Sequence, residues 1–295
     1  MGADESFVRL FRGRGDAYGS WAGGCVRQPL TPEHFRAHLY SHDPKDWIGV
    51  YNVMGKACSW GCIDIDVPAE GLAHNLRGAL GEARIPAWVE RTTRGYHVWV
   101  FPADFLINAA TMRRALHGAC AIVEYQPREV FPKQVDATGG KLGNYVRLPL
   151  NGSRANPAPR DVRRFVHDGV TLQDMDVNRA GTPELERLAE TVPLPQAVDI
   201  PVDVETGLEV QWEVERIGGP VLSLWRDGPR FGHDRSSTLS QLAHRCVEAE
   251  VPPAMAYAIV RSGDERWGKF HLRGESGTDH ILKIVSQVYG AQETA

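Results

Sequence analysis

The alternation of apolar and polar positions divides the chain into legible elements. Trp47 to Val53 (W-I-G-V-Y-N-V) reads as a strand. Cys62 to Val67 (C-I-D-I-D-V) alternates apolar and acidic residues at a period of two, which sets Asp64 and Asp66 on one face of a strand. Glu70 to Ala83 carries Leu72, Leu76 and Leu80 along one helical face. Pro86 to Arg91 and Tyr96 to Phe101 flank a short Thr-Thr-Arg-Gly segment, the pattern of a hairpin. Ala109 to Ala121 predicts a second helix. Strands are expected within Ala121 to Phe131 and Asn144 to Leu150, with a Gly-rich loop between them.

Residues 151–205 are rich in Pro, Asn and Asp and have little periodicity, apart from a short helix at Thr182 to Thr191. From about Gly207 the texture is helical. Ser236 to Glu250 places Leu239, Leu242, Cys246 and Val247 on one face. Pro252-Pro253 opens a helix through Arg261, and Thr278 to Tyr289 turns Ile281, Leu282, Ile284, Val285 and Val288 inward. The expected class is α+β, a mixed sheet with helices on it and a small all-α domain after it. The expected boundaries are a core at 1–155, a surface-packed connector at 156–206 and a helical domain at 207–295.

The composition excludes several classes. With 42% hydrophobic and 24% charged residues among 295, the chain has enough apolar surface to fold. No window holds the roughly 18 consecutive apolar residues of a membrane span. The start, M-G-A-D-E-S-F-V-R-L-F, has no apolar leader, so the expected location is the cytoplasm, with no membrane partner. Five scattered cysteines make no disulfide framework, and Cys58 and Cys62 lack a second ligand pair, so buried reduced thiols are expected. Net charge is −4. Lys141 to Arg164 nevertheless holds six basic residues against one acid, and Phe165 to Arg216 holds twelve acids against three basic residues. A basic stripe beside an acidic segment is the footprint of a polyanion partner.

Three stretches carry candidate chemistry. Asp64-Ile65-Asp66 places two like charges on one strand face, which repel unless a cation sits between them. Such oxygen ligands suit Mg²⁺ or Mn²⁺ and are what two-metal phosphoryl transfer uses. In Arg91-Thr-Thr-Arg94-Gly95-Tyr96-His97, arginines and a histidine surround a tight turn, a plausible grip for a triphosphate. Gly95 would allow close approach of a ligand. Glu129-Val-Phe-Pro-Lys133-Gln134-Val-Asp136 supplies a third carboxylate, followed by Gly143-Asn144-Tyr145-Val-Arg147-Leu-Pro149. The Gly-rich loop before it lacks the phosphate-loop spacing.

In this order the three stretches resemble the catalytic core of the archaeo-eukaryotic primase (AEP) superfamily, specifically the primase-polymerases of phage, conflict-system and CRISPR-associated loci. Asp64 and Asp66 match the first motif, Gly95-Tyr96-His97 the second, and Glu129, with Asp136 as the alternative, the third acid. Glu129 to Gln134 and Gly143 to Pro149 are similar to those variants, as are residues 10–19 and His38 to Tyr51. The likeness covers roughly residues 7–155. The second motif usually has Ser where this chain has Gly95.

The resemblance implies a catalytic core whose sheet has an RRM-like portion with flanking helices, and a C-terminal helical domain linked to starting a primer. R-S-S-T-L-S-Q-L-A from Arg235, W-G-K-F from Trp267 and Asp279-His280 carry the C-terminal part of the likeness. It further implies template-directed synthesis and extension of DNA or RNA primers from ribo- or deoxynucleoside triphosphates on single-stranded DNA. Asp64, Asp66 and Glu129 would hold Mg²⁺ or Mn²⁺. His97 would contact phosphates, with Arg91, Arg94, Lys133 and Arg147 as further nucleotide ligands, and Tyr18, Trp21 or Tyr145 would stack on a base. With no helicase motif in the chain, unwinding is expected from a separate helicase or other replication protein. Two rival readings use the same residues differently: a metal-dependent nuclease, and a non-catalytic module that binds single-stranded nucleic acid.

Overall fold

The polar and apolar rows of the sequence are sorted by one twisted sheet. The structure is a computed structural model, and it describes residues 2–167, 169–192, 208–229, 235–267 and 270–290. In chain order its first part runs α1 (Ala3–Phe11), β1 (Tyr18–Ser20), β2 (Cys25–Val26), α2 (Pro32–Tyr40), β3 (Ile48–Tyr51), β4 (Val53–Met54), β5 (Ala57–Cys58) and β6 (Gly61–Ile65). It continues α3 (Glu70–Glu82), β7 (Trp88–Arg91), β8 (Tyr96–Val100), β9 (Ile107–Asn108), α4 (Ala109–Ile122), β10 (Glu129–Phe131), β11 (Tyr145–Arg147), β12 (Arg164–Phe165), α5 (Leu172–Val177) and α6 (Thr182–Glu190). The chain divides into two compact units, Met1–Val192 and Pro193–Ala295.

Five strands form the central sheet in the order β10-β6-β8-β7-β12. The run β6-α3-β7-β8-α4-β10 within it is a β-α-β-β-α-β unit, the RRM-like (ferredoxin-like) topology. This topology interleaves two split β-α-β units, so every neighbouring pair is antiparallel. The α+β expectation therefore holds, while the ladders are antiparallel rather than mixed. A four-stranded sheet, β11-β3-β1-β2, and a three-stranded one, β4-β5-β9, complete the first unit.

Alternation along each strand gives the central sheet two different faces. Val89, Val98, Ile63 and Val130 form one cross-strand row facing α3, α4 and α6, where they pack with Leu76, Leu80, Leu116, Leu185 and Leu188. On the opposite face Trp88, Trp99, Cys62 and Phe131 form a row packed against Phe7, Leu10 and Phe11 of α1 and against Val50 and Val146 of the four-stranded sheet. One step along the same face lies a row of ionisable residues, Glu90, His97, Asp64 and Glu129.

Residues 156–192 are not a connector on the surface. Arg164 and Phe165 pair with β7, and Leu185, Leu188 and Ala189 of α6 are buried against α4. Leu172 and Met175 of α5 join the aromatic core, and Asp176 of α5 is buried between Arg9 and Arg179. The low periodicity of this stretch reflects short elements separated by turns. The strand expected within Ala121 to Phe131 is shorter, because α4 continues to Ile122 and Glu124 takes a left-handed φ of 54° before Pro127.

The second unit holds α7 (Leu208–Ile217), α8 (Gly219–Asp227), α9 (Arg235–Glu248), α10 (Pro253–Trp267) and α11 (Glu275–Gly290). Val210, Val214, Trp225, Leu239, Leu242, Cys246, Tyr257, Ile259, Ile281 and Val285 make its core, so the apolar faces read from the sequence point inward. Fully buried Asp264 accepts hydrogen bonds from the backbone N–H groups of Phe270 and His271. Asp168 and residues 193–206 of the expected connector, Gly207 at the expected start of the helical domain, and Gly268 and Lys269 of W-G-K-F lie outside the described residues.

Buried His38 fastens α2 to the four-stranded sheet. Its Nδ1 accepts the Ile48 N–H at 3.1 Å, and its Nε2 donates to the Pro149 carbonyl at 2.9 Å. Both ring nitrogens are thus committed in the neutral form, and burial pushes the pKa down to about 4. The unfolded chain, with an ordinary value of about 6.5, binds the proton first as pH falls. This contribution to stability is complete above pH ~6.5 and is lost as pH falls toward 4. Urea unfolding at pH 7 and pH 5 should show a loss of about 2 kcal/mol from this group. His38→Gln should flatten that part of the pH dependence.

Candidate active site

His97, Asp64 and Glu129 of the ionisable row form the floor of a cavity of about 490 Å³, and Glu90 lies buried behind them. Asp64 is directly opposite His97 on one side and Glu129 on the other, and His97 is directly opposite Glu90. Directly opposed side chains in an antiparallel pair have Cβ atoms about 4.5–5.5 Å apart. Asp66, two residues beyond Asp64, lies at the mouth of the same cavity. Arg94, Tyr145, Arg147, Trp21, Tyr51 and Arg163 supply the walls.

Two like charges facing each other across a ladder are destabilising, and here each carboxylate has a cationic neighbour. Lys133 Nζ lies 2.7 Å from Glu129 Oε1, and Arg94 Nη2 lies 2.9 Å from Asp66 Oδ1. His97 Nε2 makes an ion-pair contact with Asp64 Oδ1 at 3.4 Å. Burial opposes the charge on Asp64. The hydrogen bond and charge of His97, helped by Arg163 and Arg94, outweigh it and hold the carboxyl below its ordinary range.

Beneath His97 is a buried network. Glu90, with no exposed surface, accepts from Trp99 Nε1 at 2.6 Å and faces His97 Nδ1 at 3.1 Å through the same oxygen. Its other oxygen lies 2.6 Å from Arg163 Nε. Burial opposes ionisation of Glu90, but Arg163, His97 and Trp99 keep its pKa lowered. Burial and the Arg163 charge oppose a charge on His97, yet the Glu90 carboxylate and the hydrogen bond to Asp64 raise its pKa well above the ordinary value. Arg163 Nη2 also lies 2.9 Å from His97 Nδ1, and Nδ1 cannot donate to Glu90 and accept from Arg163 together. The raised pKa selects the imidazolium, with Nδ1–H on Glu90.

Most of the sequence-predicted site residues converge. Asp64, Asp66, His97, Glu129, Arg94 and Arg147 line the cavity, as do Trp21 and Tyr145. Lys133 does not line it but reaches Glu129. Arg91 lies outside the cavity, because the hairpin register pairs it with Tyr96 and so alternates it away from the face of Glu90 and His97. Asp136 also lies outside. It is exposed and caps the following turn, accepting from Thr138 N and Oγ1. Tyr18 packs its ring on His34, 4.8 Å away.

Gly95 has a structural reason rather than a ligand: a Cβ there would sit 1.9 Å from the Ile65 carbonyl oxygen. That close approach also explains why Ser is missing. Cys58 and Cys62 are buried, with burial raising both thiols, Cys58 to about 12. Glu90 and Arg163 are the cavity's unforeseen partners. The four-residue turn already implied that Glu90 faces His97, and an acid in the apolar run P-A-W-V-E-R was the available signal.

The described residues contain no group of three or more His, Cys, Asp or Glu side chains gathered as a metal site. The donor chemistry nevertheless fits a hard divalent cation: three accessible carboxylates share one face and one cavity, two of them satisfied by Lys133 and Arg94.

The RRM-like sheet thus presents three acids and a histidine in one cavity. Residues 25–170 match the family model described as TOTE conflict system, Archaeo-Eukaryotic Primase domain. This segment of the chain belongs to the archaeo-eukaryotic primases, a family of primase-type nucleotidyltransferases that generally use divalent metals. No curated protein matches the chain. A solved structure, the crystal structure of primase RepB′, is similar at 14% identity and a TM-score of 0.34, over 99% of this chain and 97% of that one. No helix among the described residues is long and apolar enough to cross a membrane.

Removing one partner of a buried ion pair leaves an uncompensated charge. Arg163→Ala should therefore destabilise the protein by about 3–5 kcal/mol in urea unfolding. Arg163→Ala combined with Glu90→Gln should cost clearly less than Arg163→Ala alone.

Proposed function

We propose that the first unit synthesises and extends primers by template-directed nucleotidyl transfer from nucleoside triphosphates on single-stranded DNA. The observation that carries this reading is the row of Asp64, Glu129 and His97, with Asp66 beside it, in one cavity whose walls are arginines and aromatic rings. Asp64, Asp66 and Glu129 are the residues that would hold Mg²⁺ or Mn²⁺. When bound, such ions neutralise triphosphate charge and lower the pKa of a primer 3′-hydroxyl.

The chain's own residues do the positioning. The His97 imidazolium presents Nε2–H at the Asp64 edge, where a phosphate oxygen would accept it. Arg94 and Arg147 add charge on the cavity walls. Arg94 and Lys133 pair with Asp66 and Glu129, and would be free to meet the incoming polyphosphate if those carboxylates held a divalent cation.

Tyr145 gives a fixed aromatic surface. Its ring lies over the paired Gly19 and Gly49, where a Cβ would come within 2.2 and 2.3 Å of it, and its hydroxyl donates to the Ser20 carbonyl. Trp21, with the Arg147 and Arg163 guanidiniums 5.4 and 5.8 Å from its ring, offers a second surface for a base. The basic stretch from Lys141 onward would follow the template backbone, with salt-sensitive binding. In the same reading the helical second unit assists the first phosphodiester bond, when no primer yet exists.

The test is synthesis on unprimed single-stranded DNA with labelled ribo- or deoxynucleotides and Mg²⁺ or Mn²⁺. Wild type should make new oligomers, and Asp64→Ala/Asp66→Ala should lower the rate at least about a hundredfold with an unchanged circular dichroism spectrum. Shortening of a labelled strand would favour a nuclease. Template binding alone, indifferent to both substitutions, would favour a non-catalytic binding module.

A further inference from the structure

Glu90 has no place among the residues that touch a nucleotide or a cation, yet it is a carboxylate buried at the centre of the sheet. Burying a carboxylate is costly unless every oxygen is answered. Here Trp99 Nε1 and His97 Nδ1 take one oxygen, and the other is answered by charge alone, in a 2.6 Å ion pair with Arg163 Nε that is not a hydrogen bond. The Trp99 ring is itself immobilised, with Phe11 and Trp60 at centroid distances of 5.0 Å each. The carboxylate therefore has one orientation, and the imidazole held by it has one too. Nδ1 is turned inward to Glu90, and Nε2 outward to Asp64 and the cavity.

Arg163 extends the same hold. Its backbone N–H donates to Asn151 Oδ1 at 3.0 Å, and its Nη1 donates to the Arg147 carbonyl at 3.1 Å. The anchor of His97 is thus tied to β11, the strand that brings Tyr145 and Arg147 to the opposite wall.

We propose that Glu90 is a positioning residue for His97, locked by Arg163, and that it sets which imidazole nitrogen meets the phosphates. This inference rests on the nucleotidyl-transfer reading above. An acid that orients a histidine through its inner nitrogen is a device general to histidine chemistry, and loss of such a partner typically costs 10–100-fold.

Two measurements test it. The first needs neither metal nor turnover: nuclear magnetic resonance of ¹⁵N-histidine-labelled protein at one pH. Wild-type His97 should show an exchange-protected proton on Nδ1, and Glu90→Gln should abolish that protection. The second is a double-mutant cycle on nucleotide incorporation. Glu90→Gln should lower kcat/KM about 10–100-fold in the wild-type background and have little further effect in His97→Ala, because its action passes through His97. Should Glu90→Gln not fold, Glu90→Gln/Arg163→Gln, which removes both charges, takes its place.

An unchanged His97 signal, or equal effects of Glu90→Gln with and without the imidazole, would overturn the inference while leaving the nucleotidyl-transfer reading intact. If His97→Ala alone leaves incorporation unchanged, the assigned role of His97 fails, and this inference with it.

Discussion

The first unit depends on one constraint: side chains directly opposite in a sheet must live with each other's charge. The row Glu90, His97, Asp64, Glu129 crosses four strands, and its members are neighbours by register alone. A single imidazole separates two acids at one end, and two acids meet at the other. The inner end is neutralised internally, by Arg163 and by the charged His97. At the outer end Lys133 pairs with Glu129, and Arg94 pairs with Asp66 beside the row, both through flexible side chains that reach solvent. The gradient from a locked, buried end to an exchangeable, exposed end is what separates scaffold from reaction surface in this sheet.

The rest of the fold keeps that row in place. The aromatic row one step away closes the sheet's face against α1 and the four-stranded sheet, so the cavity begins where the apolar cover ends. The stretches flanking the site are tied to one another. Gln134 donates to Asn144 at 2.5 Å, linking the loop after β10 to the start of β11. Arg14 grips Asp16 through two bonds and donates to the Lys141 carbonyl, fixing the loop between them. His38 ties α2 to β3 through Nδ1 and to the segment after β11 through Nε2.

Much of this was legible in the residues, for identifiable reasons. Period-two alternation in C-I-D-I-D-V put both acids on one face, and the short turn after Arg91 carried the hairpin register with it. The helices α3, α4, α9 and α11 announced themselves by their apolar faces. What was hidden depended on distance along the chain. Arg163 reaches Glu90 across 73 positions, and no local pattern marks a buried arginine in a Pro-rich stretch. The integration of 156–192 was hidden for the same reason, since β12 is two residues long and gains its meaning only by pairing with β7. Gly95 was legible as a special position but not as a packing one, because the carbonyl it accommodates belongs to β6.

The central claim is that this row and its cavity bind metal and nucleotide together. The most direct measurement is diffraction at the manganese edge from crystals grown with Mn²⁺ and a non-hydrolysable nucleoside triphosphate. The account predicts anomalous density against Asp64, Asp66 and Glu129, with the triphosphate beside His97 Nε2. Manganese or nucleotide bound elsewhere, with the carboxylates still paired to Arg94 and Lys133, would contradict it.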